Sequence, residues 1–312
     1  MLALSARFWY HRLISNPWEG ILILELLRTM RPKQWTKNVV VFAALVFDAK
    51  LTNINYLLRA MIGFVVFCFI SGTVYLINDL ADIEQDRQHP KKCHRPLASG
   101  RLAVRTAQVA IPVMVLICLP VAFVLHPLFC GIVVLYLVMQ IGYSFVLKNV
   151  VIVDVLTIAA GFVLRVGGGA ALVDAERFSP WLYVCMVLLA LFMGLSKRRG
   201  ELVLLQNNAN HHRAILEEYS LPFLDEMISV VTATTVLAYA LYTFDPGNPH
   251  LPKNNTMMLT IPFVLYSIFR YLYLIHQKGE TAPPDEVLLK DHPLQIAFGL
   301  WGLTALALLY LG

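Results

Sequence analysis

A chain of 312 residues that is 58% hydrophobic and only 14% charged is no ordinary soluble domain, which has no use for that much apolar surface. Its formal net charge of +5 is spread so unevenly that it points to membrane orientation and anionic partners, with nothing to suggest nucleic acid. Five cysteines, at 68, 93, 118, 130 and 185, form no Cys-x-x-Cys pair and argue against a disulfide framework or a zinc site.

Residues 1–20 lack the order of a signal peptide, and 1–30 read as an N-terminal interfacial segment. Arg7, Phe8, Trp9, His11, Arg12 and Trp18 read as an interfacial segment lying on the bilayer, with a disordered basic tail as the alternative. Arg31 to Asn38 then places several donors at the start of the first predicted span. Trp35 there suits an interface anchor, and Lys33 and Lys37 suit an anionic lipid head. Hydropathy predicts nine transmembrane helices, at roughly 36–52, 55–78, 103–123, 126–146, 151–173, 180–196, 226–244, 257–276 and 293–311. These runs are helical in length and too continuous for barrel strands.

Between the second and third spans, Asn78 to Arg101 packs acidic and basic side chains densely. If the second helix continues to Asp86, a rotation of about 100° per residue gathers Asn78, Asp79, Asp82 and Asp86 within one arc of about 100°. Carboxylates gathered this way repel one another unless a cation joins them. Hard oxygen ligands suit Mg²⁺, which completes its shell with water and substrate phosphates. A solvated loop capping a span is the plainer explanation, but four oxygen side chains starting inside an apolar helix end weigh against it. Pro90 and Pro96 stiffen the basic stretch that follows, and Ala98-Ser99-Gly100 can admit a phosphate close to the backbone. Arg95 is the phosphate ligand this suggests, while Lys91 and Lys92 serve topology.

Tyr143, Lys148 and Asp154 gather around the loop between the fourth and fifth spans. Arg165 lies deeper, on the same helix face as Asp154 and about 16 Å away along the axis. An arginine in an apolar helix needs a partner, whether acidic or phosphate. After the sixth span, Ser196-Lys197-Arg198-Arg199-Gly200-Glu201 offers Lys197 or Arg198 to further phosphate, with a surface pair Lys197–Glu201 as the structural alternative. Residues 210–219 could form a short helix over the mouth of the site. The Pro- and Asn-rich stretch 245–256 reads as a plain turn region.

Counted against these spans, 19 of the 25 Lys and Arg fall on one side and 4 on the other, with Arg165 and Arg270 inside spans. The N-terminus and the acidic motif are therefore expected in the cytosol and the C-terminus outside, in a cell (inner) membrane. There is no P-loop, no dinucleotide fingerprint, no nucleophile elbow and no His-Glu-x-x-His, so a metal and a good leaving group are expected to carry the chemistry.

Asn78, Asp79, Asp82 and Asp86 match the first Asp-rich motif, Asn-Asp-x-x-Asp-x-x-x-Asp, of the UbiA superfamily of intramembrane prenyltransferases, which this chain resembles. It is most similar to the branch of decaprenyl-phosphate phosphoribosyltransferases. The likeness rests on Arg31 to Asn38, the tail His89 to Gly100, the Lys-Arg-x-x-Glu of Lys197, Arg198 and Glu201, and the stretch Pro284 to Asp291. Aromatic prenyltransferases of the superfamily carry a second Asp-rich motif where this chain reads Ser-Lys-Arg-Arg-Gly-Glu, basic where it should be acidic.

The resemblance implies an all-α integral membrane protein, a single domain over 1–312 with a UbiA-like bundle of about nine helices. It implies a Mg²⁺-dependent transfer of phosphoribosyl from 5-phosphoribosyl diphosphate to a polyprenyl phosphate. Asn78, Asp79, Asp82 and Asp86 would hold the metal. Lys33, Lys37, Arg95, Tyr143, Lys148, Asp154, Arg165, Lys197, Arg198 and Glu201, with Asn78, would face the substrates. An aromatic prenyltransferase using a prenyl diphosphate is the alternative within the fold. A transporter or scaffold is the alternative outside it, disfavoured because the polar residues concentrate at one face. The sequence leaves a homo-oligomer open.

Overall fold

Backbone amides in hydrocarbon find no water, so each apolar run closes its own hydrogen bonds as a helix. The computed structural model describes residues 17–89, 92–175, 179–206 and 214–311, and among these there is no strand. In chain order the α-helices are α1 (Pro17–Thr29), α2 (Ala43–Phe47), α3 (Ile54–Ala81), α4 (Ile83–Gln88), α5 (Val104–Leu125) and α6 (Pro127–Phe145). They continue with α7 (Val153–Leu172), α8 (Pro180–Gln206), α9 (Leu221–Thr243), α10 (Ile261–Gln277), α11 (Pro284–Leu288) and α12 (His292–Tyr310). Side chains mark several starts: Asn53 accepts from the amide of Asn55 before α3, Ser220 from Phe223 before α9, and Asp291 from Leu294 before α12.

Eight described helices are long and apolar enough to cross a bilayer: α3, α5 to α9, α10 with the 3-10 turn Thr256–Thr260 that leads into it, and α12. The first expected span, 36–52, is of another kind. It forms a 3-10 helix, Pro32–Phe42, continued by the short α2. A run of β-branched residues, Val39 to Val41, weakens the α-helical option. The chain enters with Arg31 in the left-handed region, φ 54°. Residues 32–47 cover about 30 Å at 3-10 and α rises. They run from Arg31, beside Asp79, to Asp48 and Lys50, which lies beside Asp174. We call these the motif end and the far end of the bundle. The slim segment fits because α7 presents Gly169, where any Cβ would collide with the carbonyl of Val41.

Three further expectations shift. The second helix breaks at Asp82 (φ −99°, ψ 10°) and does not continue to Asp86, so the single acidic arc does not form. The sixth span runs on to Gln206, carrying Lys197 to Glu201 on helix. Of 210–219, only a 3-10 turn, Ala214–Glu218, lies within the described residues. Most of the expected interfacial segment, residues 1–16, lies outside them, as do Pro90 and Lys91. From α1 onward, Glu25, Thr29 and Met30 turn inward and Ile23 and Leu24 outward.

The core has two main parts. Phe67, Ile70, Phe129, Val133, Tyr136 and Leu172 pack α3, α6 and α7 around Val41 of the 3-10 segment. Phe192, Leu195, Leu224, Ile228, Tyr271 and Ile275 pack α8, α9 and α10, with Tyr219 and Val287 sealing the motif end. Helices α3 and α7 are the most enclosed, while α5, α10 and α12 keep most of their surface for lipid.

Gly169→Ala is expected to lower stability by about 1–3 kcal/mol, because backbone cannot give way as a side chain can. Gly167→Ala, whose Cβ would meet only Ile132 Cδ1 at 4.0 Å, serves as the control. Thermal unfolding of the two variants in detergent checks this, and equal melting temperatures would refute the close packing.

Candidate active site

Asp79 and Asp86 are each only 2% exposed, and a carboxylate so enclosed needs a cation. The break at Asp82 turns α4 so that Asp86 comes back towards Asp79, and one guanidinium meets both. Arg95 Nη1 lies 3.2 Å from Asp79 Oδ1 and 2.6 Å from Asp86 Oδ2. Arg31 Nη2 donates to the same Asp79 oxygen at 2.6 Å, with its guanidinium over the Tyr75 ring at 4.7 Å. Lys92 stands 4.0 Å from Asp86. Asp82 receives Lys148 at 3.2 Å. Asn78 is half-buried next to Asp79.

Arg95 is held by an ordered loop. Leu97 and Leu102, each 1% exposed, plug into a cluster with Met30 and Leu76, and Arg101 donates to the carbonyl of His94 at 2.6 Å. Gly100 permits the turn with φ 79°.

A second constellation forms where α7, α8 and the 147–152 loop meet. Asp154 is fully buried and Arg198 nearly so. Arg198 Nε donates to Asp154 Oδ2 at 2.7 Å, Nη1 to Glu201 at 2.6 Å and Nη2 to the Tyr143 hydroxyl at 3.3 Å. Tyr219 donates to the other Asp154 oxygen at 2.8 Å and accepts the amide of Ile152, a β-branched residue held at φ 68°. Burial pushes the Tyr219 phenol up to about 12, and its bond to Asp154 adds to the shift. Tyr143 and Asp154, expected on one face, and Arg198 and Glu201, expected on another, thus meet as one another's partners. Glu201, expected to pair with Lys197 on the surface, receives Arg198 Nη1 at 2.6 Å.

Arg165 shares a face with Asp154 but does not pair with it. Its three nitrogens bond to Asn38 (2.6 Å), the Gly161 carbonyl (2.8 Å) and the Tyr136 hydroxyl (2.7 Å), deep in the bundle. Lys37 faces Asp285 at 3.6 Å, while Lys33 and Lys197 are exposed at the motif end. Sequence reasoning did not single out Tyr75, Asn38, Tyr136, Tyr219 or Asp285. Asn38 and Asp285 lie inside stretches that carry the resemblance. Tyr75 and Tyr136 are aromatic residues in apolar helices with no local signal of a polar role, and Tyr219 ends the polar stretch 210–219, where nothing local assigns it a partner.

For a hard divalent cation the donor chemistry fits, since Asn78, Asp79, Asp82 and Asp86 offer only oxygen, and Asp79 and Asp86 already converge on one nitrogen. Among the described residues no three His, Cys, Asp or Glu gather closely enough to enclose an ion.

The family model of the UbiA prenyltransferase family matches residues 39–288. The decaprenyl-phosphate phosphoribosyltransferase of Corynebacterium glutamicum is 32% identical over 88% of this chain and 84% of its own length. That of Mycolicibacterium smegmatis is 29% identical over 93% of both chains. Among solved structures, a UbiA homolog from Archaeoglobus fulgidus bound to DMAPP and Mg²⁺ is similar with a TM-score of 0.69 and 18% identity. The match covers 91% of this chain and 99% of that one.

Arg198→Met should cost about 3–5 kcal/mol, because it strands the buried Asp154 carboxylate. Adding Asp154→Asn should recover part of that loss. Unfolding of the single and double variants decides it, and a double variant as unstable as the sum of both singles would remove the pair from the account.

Proposed function

The chain belongs to the UbiA prenyltransferase family, and from that premise we propose that it transfers a 5-phosphoribosyl group from 5-phosphoribosyl diphosphate to a polyprenyl phosphate, releasing diphosphate. The observation that carries this reading within the family is the second half of the site. Where a second prenyl-diphosphate metal site would need acidic residues, Arg198 is locked between Asp154 and Glu201, with Lys197 exposed beside it. The names of the aligned relatives point the same way.

In this reading Asp79, Asp82, Asp86 and Asn78 hold Mg²⁺, which neutralises the leaving diphosphate when bound. Arg31, Arg95 and Lys148, which now satisfy those carboxylates, turn to phosphate oxygens. Lys33, Lys37 and Lys197 lie at the same end for the sugar's 5-phosphate and the lipid phosphate. A lipid phosphate oxygen attacks C1 of the pentose as the C1–diphosphate bond breaks. Charge on C1 rises in the transition state, and the centre inverts. The nucleophile is already ionised at neutral pH, so no strong general base is needed. Arg198, Tyr143 and Tyr219 position Asp154 and the loop bearing Lys148. The motif end faces the cytosol, as the charge bias predicts, and the polyprenyl tail lies along the lipid-facing helices.

Detergent-purified protein with Mg²⁺, 5-phosphoribosyl diphosphate and a polyprenyl phosphate should release diphosphate only when the lipid is present. The lipid should gain the mass of one phosphoribosyl unit. Asp82→Ala should reduce turnover by about 10²-fold or more at an unchanged melting temperature. No lipid product, with turnover of a prenyl diphosphate and an aromatic acceptor instead, would shift the assignment to the other branch of the family.

A further inference from the structure

Residues 278–291, between α10 and α12, form a strap across the motif end, and it is fixed at many points. The carbonyl of Thr281 sits so close to Gly200 of α8 that no Cβ would fit there. Glu280 accepts the amides of Thr281 and Ala282 at 2.9 Å each, and Tyr271 donates to the Ala282 carbonyl at 3.1 Å. Val287 is buried in the second core. At the strap's end, a hydrogen bond from Arg270 holds the Asp291 carboxyl below the usual carboxylate range. This scaffolding presents α11, whose first turn carries Asp285 towards Lys37 on the 3-10 segment.

Asp285 differs from the other acidic residues of the site. Asp79, Asp82, Asp86 and Asp154 each meet a cationic nitrogen at 2.6–3.2 Å. Asp285 stands 3.6 Å from Lys37 with 34% of its side chain exposed. Such an open pair contributes only about 0–1 kcal/mol, too little to account for so firmly held a strap. A carboxylate accepts hydrogen bonds and repels phosphate, so its counterpart in a phosphorylated substrate is a neutral hydroxyl. Two carboxylate oxygens match two neighbouring hydroxyls, as where an acidic residue reads the hydroxyl of a nucleotide ribose. A prenyl diphosphate has no hydroxyl to offer.

We propose that Asp285 accepts hydrogen bonds from the 2- and 3-hydroxyls of the donor's pentose, while Lys37 beside it takes that sugar's phosphate. Asp285 is then the residue that separates a sugar donor from a prenyl one. This rests on the phosphoribosyl reading of the site.

The test compares 5-phosphoribosyl diphosphate with its 2-deoxy analogue as donors for wild type, Asp285→Ala and Asp285→Asn. The wild type should prefer the ribosyl donor by about 10²-fold in kcat/KM. Asp285→Ala should lose more on the ribosyl donor than on the 2-deoxy donor, which keeps only the 3-hydroxyl contact to lose, so the preference between the two donors should largely disappear. The KM for polyprenyl phosphate and the melting temperature should stay put, because the pair with Lys37 is open and weak. Equilibrium binding of radiolabelled ribosyl donor without acceptor should weaken in parallel, with Asp285→Asn intermediate. A variant that keeps the full preference for the ribosyl donor overturns the assignment. Wild-type protein inactive with both donors would instead refute phosphoribosyl transfer itself, a separately readable result.

Discussion

Arg165 places a full positive charge inside an apolar bundle, and the geometry of the site follows from how that charge is satisfied. Withdrawing a guanidinium from water costs several kcal/mol, and among the described residues no carboxylate pairs with it. The cost is offset by three hydrogen bonds and by the Tyr136 ring, 4.7 Å from the guanidinium carbon. Asn38, gripped at its carbonyl by Arg165, turns its amide to Cys68 and Ser71 of α3 at 3.3 Å each. One polar knot thus ties the 3-10 segment to α3, α6 and α7. The segment's near end carries Arg31 and Lys37, so its fixed depth and rotation set those cations against Asp79 and Asp285.

At the motif end, charge neutralisation governs the arrangement. Asp79, Asp82 and Asp86 are satisfied by Arg31, Arg95 and Lys148, all cations with phosphate-binding chemistry. Under the proposed function, taking up an anionic donor with Mg²⁺ would be an exchange of partners, with the carboxylates passing to the metal and the freed cations to phosphate. Buried charge stays paired throughout, which avoids the large penalty of leaving a carboxylate alone in a low-dielectric pocket. The second constellation, around Asp154 and Arg198, is closed on itself.

Much of this was legible in the sequence. Hydropathy located the second to ninth spans, and the Asp run from residue 79 to 86 pointed to the carboxylates that Arg31, Arg95 and Lys148 meet, because bilayer thickness and buried charge constrain sequence strongly. The first span's 3-10 form was not legible. Eleven residues cannot separate a 3.0 from a 3.6 period, and the deciding feature, Gly169, lies far along the chain. The break at Asp82 carries no Pro or Gly, and it accompanies pairing of Asp82 with Lys148 and of Asp86 with Arg95. Spacing placed Asp154 and Arg165 on one face but could not assign their partners, since Asp154 takes Arg198 and Arg165 takes Asn38. The sixth span outran its hydropathy because Lys197 to Glu201 is polar yet rich in good helix formers.

The exchange of partners at Asp79 and Asp86 is tested most directly by calorimetric titration of Mg²⁺ into wild type and Arg95→Met, with and without 5-phosphoribosyl diphosphate. Removing Arg95 takes away the competing cation that Asp79 and Asp86 share, leaving Arg31 on Asp79 and Lys92 farther from Asp86. Without donor, the variant should therefore bind Mg²⁺ more tightly than wild type, while its affinity for the donor falls. Mg²⁺ affinity that is unchanged or lower in Arg95→Met would show that these carboxylates do not hold the metal in exchange for the arginine.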